Sequence, residues 1–247
     1  MSNNNEKIKV MSRDSRKRLQ KDIIDIIKNP LTEHGIYYTH DDSDMTKGYA
    51  VVFAPSDTIY RYGAYMFRFK FPTNYPFSPP KLTYLTNDGS TRFHPNLYRN
   101  GKVCLSVLNT WRGEGWTSCQ TISSILLILV TLFHNKPLLN EPGIRETHTS
   151  FLPYNKIITY RNLEHSVINT LQYGLKINEC PVYLSWFFPF YKKYIKENYD
   201  DIIKYIQELE QNKKYNGNFC TSIYGLKCNT DYKIILDKFK TIVSKLN

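Results

Sequence analysis

Residues 91–116 read TRFHPNLYRNGKVCLSVLNTWRGEGW. In this stretch a His-Pro-Asn tripeptide starts at His94 and ends at Asn96. Cys104 follows eight positions after the asparagine, and Trp116 lies twelve positions beyond the cysteine. The stretch shows neither helical nor strand periodicity. A long irregular segment inside a compact domain is uncommon and usually functional, so we expect this segment to carry the chemistry of the protein.

The residues before this stretch predict an antiparallel sheet. In the run 64–71, Tyr65, Phe67, Phe69 and Phe71 alternate with other side chains, which is the period of a half-buried strand. Shorter β-prone runs lie on either side of it, at 49–53 and 81–86. The sequence FPTNYPFSPP at 71–80 separates two of these runs, and its prolines predict a rigid loop because proline fixes φ and removes a donor.

Helical periodicity frames the β region. Leu19, Ile23, Ile26 and Ile27 fall on one face of a helix predicted over Arg13–Lys28. After the irregular stretch, we expect helices over 121–133, 155–173, 187–210 and 231–246. Residues 211–230 are expected to form a loop, and residues 1–12 a polar arm.

The composition bounds the class of protein. The chain has 247 residues with 41% hydrophobic and 22% charged residues, which is typical of an ordered domain. Its five cysteines are odd in number and lack CxxC spacing, so we expect no disulfide framework or zinc site. The longest apolar stretch, Ile125–Phe133, is far shorter than the roughly 20 residues of a membrane span. We expect a soluble protein of the cytoplasm or nucleus.

The ordered set of motifs resembles the ubiquitin-conjugating enzymes. The set comprises YPFSPP at 75–80, the His-Pro-Asn tripeptide, the eight-residue step to Cys104, Trp116, and the acid-proline pair at Glu141. The long segment between Cys104 and Trp116 is similar to the Z-type branch of that family. The resemblance implies an α+β fold of the ubiquitin-conjugating type, with an N-terminal helix, a four-stranded antiparallel sheet and C-terminal helices.

The resemblance also implies a domain division and a reaction. We expect a flexible arm at 1–12, a catalytic core at 13–174 and a helical extension at 175–247 packed on the core. Cys104 would accept ubiquitin or a ubiquitin-like modifier as a thioester from an activating enzyme (E1). It would then pass the modifier to a substrate lysine or to a ligase (E3). No metal or dissolved cofactor is expected, since the activating enzyme consumes the ATP.

The resemblance assigns roles to residues near Cys104. Asn96 is expected to donate a hydrogen bond to the thioester oxygen during attack, or else to act only as a turn former. His94 and Pro95 are expected to hold the loop in shape, because a lone histidine is more often structural than catalytic.

Tyr98 and Glu141 are candidates for flanking the incoming lysine. That lysine must lose its proton to attack, and an aromatic ring and a carboxylate would favour this. A one-residue offset in the motif leaves Asn140 as a rival for the place of Glu141. A solvated surface acid is the other interpretation of Glu141.

Three partner surfaces are implied. Lys17, Arg18 and Lys21 on the first helix would meet the acidic activating enzyme. Phe77 in the proline loop would anchor a RING or HECT ligase, unless it packs in the core. Thr117 and Ser118 replace the usual Ser-Pro of the second ligase loop, and the missing proline makes that loop less rigid.

Two other functions compete with conjugation. An inactive chain could serve as a binding scaffold, although the presence of both Cys104 and Asn96 argues against it. The net charge of +11 could instead indicate a nucleic-acid-binding protein. The basic residues are spread along the chain and no nucleic-acid-binding signature accompanies them, so we expect no nucleic-acid partner.

Overall fold

The structure is a computed structural model that describes residues 10–176 and 179–246. Its helices and strands follow in this order: α1 Arg13–Lys28, β1 Ile36–His40, β2 Lys47–Phe53, β3 Ala64–Lys70, β4 Lys81–Tyr84, α2 Ile122–Val130, α3 Phe151–Arg161, a π-helical segment Asn162–Asn169, α4 Thr170–Leu175, α5 Val182–Glu197, α6 Tyr199–Gln211, β5 Gly217–Cys220, β6 Lys227–Thr230 and α7 Tyr232–Val243. The predicted α+β fold, with an N-terminal helix, a four-stranded antiparallel sheet and C-terminal helices, is confirmed.

The first helix has the predicted bounds. The Ser12 hydroxyl accepts a hydrogen bond from the Ser15 amide and caps its N-terminus. Leu19 and Ile26 are buried as expected, but Ile27 is 62% exposed, so its predicted place on the buried face is wrong. Of the predicted arm, residues 1–9 lie outside the described residues, and Met11 is buried rather than part of a polar arm.

The sheet has the order β1-β2-β3-β4 and is antiparallel throughout. One face packs toward the segment after α2, where the Tyr65 and Phe133 ring centroids lie 4.3 Å apart. The other face is covered by α5, and Tyr49 lies 5.0 Å from Trp186. Both faces of the first half of β3 are therefore buried, including Met66. The prediction of a half-buried strand is wrong there, because α5 replaces solvent on the second face.

The C-terminal part differs most from the prediction. The single helix expected over 187–210 is two helices, since α5 ends at Glu197 and the acidic first turn of α6 begins after Asn198. The loop expected over 211–230 contains a hairpin in which β5 pairs with β6. Each of these strands has four residues, too few for a recognisable alternation. The helix expected to stop at Gly174 continues to Leu175.

Helix α5 joins the C-terminal part to the core. The buried Tyr191 hydroxyl donates to the Tyr62 carbonyl at 2.8 Å and lies 3.2 Å from the Ser166 carbonyl. Within residues 10–176 and 179–246, no helix combines the length and apolar character needed to cross a lipid bilayer.

Candidate active site

Cys104 lies in the irregular segment between β4 and α2, close to a tight turn. The Tyr98 amide donates to the Lys102 carbonyl at 2.9 Å, and Gly101 closes the turn with a φ of +82°. A side chain at Gly101 would come within 2.9 Å of the Tyr84 carbonyl oxygen, so this position needs glycine on both counts. The turn lies directly before Cys104, of which only 1% is exposed.

Asn96 is bound to Cys104 by two hydrogen bonds. The Cys104 amide donates to the Asn96 carbonyl at 2.9 Å, and the Asn96 Nδ2 donates to the Cys104 carbonyl at 2.6 Å. Asn140 Nδ2 donates in turn to Asn96 Oδ1 at 3.2 Å. One of the two Nδ2 hydrogens of Asn96 is therefore used to brace the loop, and the other can serve a developing oxyanion.

His94 is fully buried, and its Nδ1 accepts a hydrogen bond from the Asn96 amide at 3.0 Å. Burial lowers the pKa of His94 well below its ordinary value, and the nearby His134 and Arg92 lower it further. A neutral ring whose Nδ1 is already engaged is a poor proton acceptor. The buried Pro95 accepts from Arg92 Nη2 through its carbonyl at 2.6 Å. His94 and Pro95 therefore both make contacts that stabilise the loop.

Glu141 and Asn140 lie side by side but point to different partners. Asn140 is the residue that joins the network of Asn96 and Cys104. The Glu141 carboxylate instead accepts a hydrogen bond from the hydroxyl of Tyr224, in the loop between β5 and β6. The two candidates for the place beside the incoming lysine therefore have different contacts. Asn140 is bound to the loop of Cys104, and Glu141 is bound to the C-terminal hairpin.

Tyr98 lies under a guanidinium group. The Arg92 Cζ is 3.3 Å from the centroid of the Tyr98 ring and 5.0 Å from that of Tyr224. Arg99 donates from Nη2 to the Tyr224 carbonyl at 2.6 Å. Sequence reasoning missed Arg92, Arg99 and Tyr224, because the two arginines look like ordinary surface charges and Tyr224 is far away in sequence.

The predicted partner residues lie in different surroundings. Lys17 and Lys21 are exposed, whereas Arg18 is partly buried and bound to neighbouring groups. Its guanidinium pairs with the buried Asp22 at 3.0 Å and donates to the Ser118 carbonyl at 2.5 Å and the Gln120 carbonyl at 2.8 Å. Arg18 therefore holds the segment that carries Ser118, and three of its five N–H donors are used in these contacts.

Phe77 projects from the proline loop with 78% of its surface exposed, so the core-packing alternative is wrong. Trp116 donates from Nε1 to the Pro76 carbonyl at 2.6 Å, which holds the two predicted ligase loops together. Thr117 and Ser118 follow Trp116 and are exposed. The three candidate ligase residues thus belong to loops that contact each other.

The family model for ubiquitin-conjugating enzymes matches residues 18–155. The chain is 39% identical over 158 residues to ubiquitin-conjugating enzyme E2 Z of Xenopus tropicalis, covering 63% of this chain and 50% of that protein. The E2 Z of Homo sapiens is 38% identical over 167 residues, covering 66% of this chain and 45% of that protein. The chain spans about half the length of the curated relatives it matches.

Among solved structures, human ubiquitin-conjugating enzyme E2 G1 matches with a TM-score of 0.42 and 28% identity, over 53% of this chain and 97% of that one. The similarity to E2 Z proteins of several vertebrates confirms the resemblance to the Z-type branch.

Proposed function

Because the chain belongs to the ubiquitin-conjugating enzyme family, we propose that it carries ubiquitin or a ubiquitin-like modifier as a thioester on Cys104. The observation that carries this proposal is the loop in which Asn96 brackets Cys104 through both its backbone and its side chain. The side-chain amide of Asn96 thus binds the backbone of the residue that carries the thiol, which supports the proposal because a thioester carrier needs a thiol and an amide donor close together.

The reaction has two steps. The Cys104 thiolate attacks the thioester carbonyl of the loaded activating enzyme, a new carbon–sulfur bond forms, and the thiolate of the activating enzyme leaves. A neutral lysine amine, or a ligase thiolate, then attacks the new thioester and Cys104 leaves as a thiolate. The attacking amine loses a proton to a base or to solvent. Since Cys104 is 1% exposed, its thiol must become accessible before it can attack in the first step.

In this proposal, Asn96 has a different role from Glu141 and Tyr98, the two residues expected beside the incoming lysine. The remaining Nδ2 hydrogen of Asn96 stabilises negative charge on the carbonyl oxygen as each tetrahedral intermediate forms. Glu141 orients the incoming lysine amine, and Tyr98 provides an aromatic surface beside it. His94 and Pro95 keep the loop in place and take no proton.

The partner surfaces follow from the same family membership. Lys17 and Lys21 are the proposed contacts for an acidic activating enzyme, and Arg18 acts there only through the helix that it stabilises. Phe77, Thr117 and Ser118 form the proposed ligase surface. Aromatic anchors on rigid loops are common at the centres of protein interfaces. Protein substrates are expected to bring a lysine to the Glu141 side of Cys104.

A loading assay tests the proposal. The chain is incubated with an activating enzyme, ATP and a modifier, and a modifier adduct that disappears on addition of a thiol reductant is expected. Cys104→Ala must abolish the adduct, and Cys104→Ser must replace it with an ester that resists the reductant. Cys119→Ser is the matched control, because Cys119 is an exposed cysteine outside the loop and its loss should leave loading unchanged.

The same assay identifies the modifier that the chain carries. It also tests the alternative that the chain is an inactive binding scaffold. Two activating enzymes tested against ubiquitin and several ubiquitin-like modifiers should give one strongly loaded combination. If no combination yields a Cys104-dependent adduct, the chain is a binding scaffold and the proposal is wrong.

A further inference from the structure

The loop between β5 and β6 brings the side chain of Tyr224 against Glu141, the residue proposed to orient the incoming lysine. The Tyr224 hydroxyl donates to Glu141 Oε2, across 83 residues of sequence. The rest of the hairpin contacts α3 and lies outside the segment matched by the family model. A residue of the C-terminal extension thus contacts the carboxylate proposed to orient the attacking amine.

The backbone at Tyr224 is held in an uncommon conformation. Its φ is +64°, which is costly for a residue with a bulky side chain and persists only where neighbours enforce it. Arg99 Nη2 binds the Tyr224 carbonyl at 2.6 Å. On the preceding residues, the Ser222 and Ile223 amides donate to the Ser150 Oγ at 3.1 and 3.4 Å. These contacts fix the hydroxyl of Tyr224 on Glu141.

The chemistry of the pair formed by Tyr224 and Glu141 suits a positioning role for the tyrosine. Burial, reinforced by the nearby Glu141 carboxylate, raises the pKa of Tyr224, so its hydroxyl stays protonated and acts as donor. It engages one carboxylate oxygen of Glu141, and the second oxygen can accept a hydrogen bond from an amine. The Arg92 Cζ lies 3.3 Å from the centroid of the Tyr98 ring and 5.0 Å from that of the Tyr224 ring. These cation–π contacts hold Tyr98 and Tyr224 together.

We propose that Tyr224 is a positioning residue for the amine-attack step and holds the Glu141 carboxylate in the orientation that receives a substrate lysine. The inference rests on the proposed function, since it concerns the second half of that reaction. Tyr224, a residue of the C-terminal extension, would then act in the transfer of the modifier to lysine.

The test separates the two halves of the reaction. Wild type, Tyr224→Phe and Glu141→Gln are each loaded with modifier, the ATP is removed, and discharge is followed after addition of free lysine. We expect both variants to load at the wild-type rate within twofold. Discharge to lysine should slow about fivefold in Tyr224→Phe, because the Glu141 carboxylate loses one hydrogen bond that orients it but keeps its charge. Tyr173→Phe, a half-exposed tyrosine outside this cluster, is the matched control and should discharge normally.

Two further readouts distinguish positioning from a general structural effect. Discharge to hydroxylamine, which is neutral at pH 7 and needs no carboxylate, should be unchanged in Tyr224→Phe, whereas a distorted site would slow it as well. The double variant Tyr224→Phe/Glu141→Gln should discharge to lysine no more slowly than Glu141→Gln alone, because the hydroxyl acts through that carboxylate.

The outcomes are distinguishable. If loaded Tyr224→Phe discharges to lysine at the wild-type rate, or if its effect multiplies with that of Glu141→Gln, the positioning role is wrong and the proposed function stands. If the wild-type chain does not load at all, the proposed function fails and this role fails with it. If Tyr224→Phe folds poorly, Arg99→Ala tests the same residue, because it removes the hydrogen bond that holds the Tyr224 carbonyl. It should slow discharge to lysine and leave loading unchanged, and unchanged discharge would overturn the inference.

Discussion

The two sides of the Cys104 loop are held by different parts of the chain. On one side, Asn96 and Cys104 bind each other across eight residues, entirely within the core. On the other side, Glu141 is bound by Tyr224, which belongs to the C-terminal hairpin. The Cys104 loop and the Glu141 carboxylate are thus held by contacts from different parts of the chain. Under the proposed function, we expect a change to the hairpin to alter transfer of the modifier without altering loading.

We call the pair of Asn96 and Cys104 the core side, and Glu141 with the hairpin of β5 and β6 the hairpin side. The largest expected effect comes from a change on the core side. Asn96→Ala removes the donor to the Cys104 carbonyl and leaves the partly buried Asn140 amide without its Asn96 acceptor. We expect discharge of the loaded thioester to lysine to fall on the order of 100-fold, as for loss of an oxyanion donor. Single-turnover discharge, measured with the loaded fraction held equal, checks this.

Asn140→Ala is the control for that experiment, because it leaves the bond between Asn96 and Cys104 in place. It should reduce discharge by less than tenfold. If Asn96→Ala discharges within a few fold of wild type, Asn96 braces the loop and does not stabilise the oxyanion.

A smaller effect concerns the stability of the core side at acid pH. Burial lowers the pKa of His94 in the folded protein below its unfolded value of about 6.5. Below that pH the unfolded state binds the extra proton, so stability is lost as pH falls from about 6.5 toward the folded pKa. Urea unfolding at pH 7.5 and 5.5 should show a loss of about 1 kcal/mol assignable to His94.

His94→Gln should remove that part of the pH dependence, whatever its effect on stability at pH 7.5. The depressed pKa values of His40, His134 and His165 act in the same direction, so the difference between wild type and variant is the quantity to compare. An identical slope in both proteins would show that His94 does not contribute.

The smallest effect is expected on the hairpin side. Arg99→Ala removes the exposed hydrogen bond to the Tyr224 carbonyl but leaves the contact between Tyr224 and Glu141. Discharge to lysine should slow about twofold, with loading unchanged, because an exposed hydrogen bond contributes less than about 1 kcal/mol. Arg112→Ala, an exposed arginine elsewhere in the irregular segment, is the control. An equal loss of loading would contradict the separation of the two sides.

The sequence predicted the core side well because its signals are local. The step from Asn96 to Cys104 and the proline loop are short-range patterns, and the first helix has the predicted bounds. The hairpin side could not be predicted in the same way. The strands GNFC and KCNT are too short and too polar to show alternation, and Tyr224 is brought to Glu141 only by tertiary structure.

Arg18 shows a second kind of failure of the sequence-based prediction. On a helical wheel it resembles its neighbours Lys17 and Lys21, and only the structure reveals that its guanidinium reaches the Ser118 and Gln120 carbonyls. Arginine has five donors in a planar fork and suits such bridging better than lysine, but the identity of the residue does not indicate which arginine is used in this way.

The covering of the sheet by α5 also has a consequence for synthesis of the chain on the ribosome. Strands β2 and β3 are made well before Val182–Glu197, and translation proceeds at roughly 5–20 residues per second. For several seconds we expect the aromatic side chains that later meet α5, such as Tyr49 and Phe53, to lack this partner and to be accessible to chaperones or to other nascent chains. The last third of the polypeptide therefore completes a layer of the protein begun by the first third.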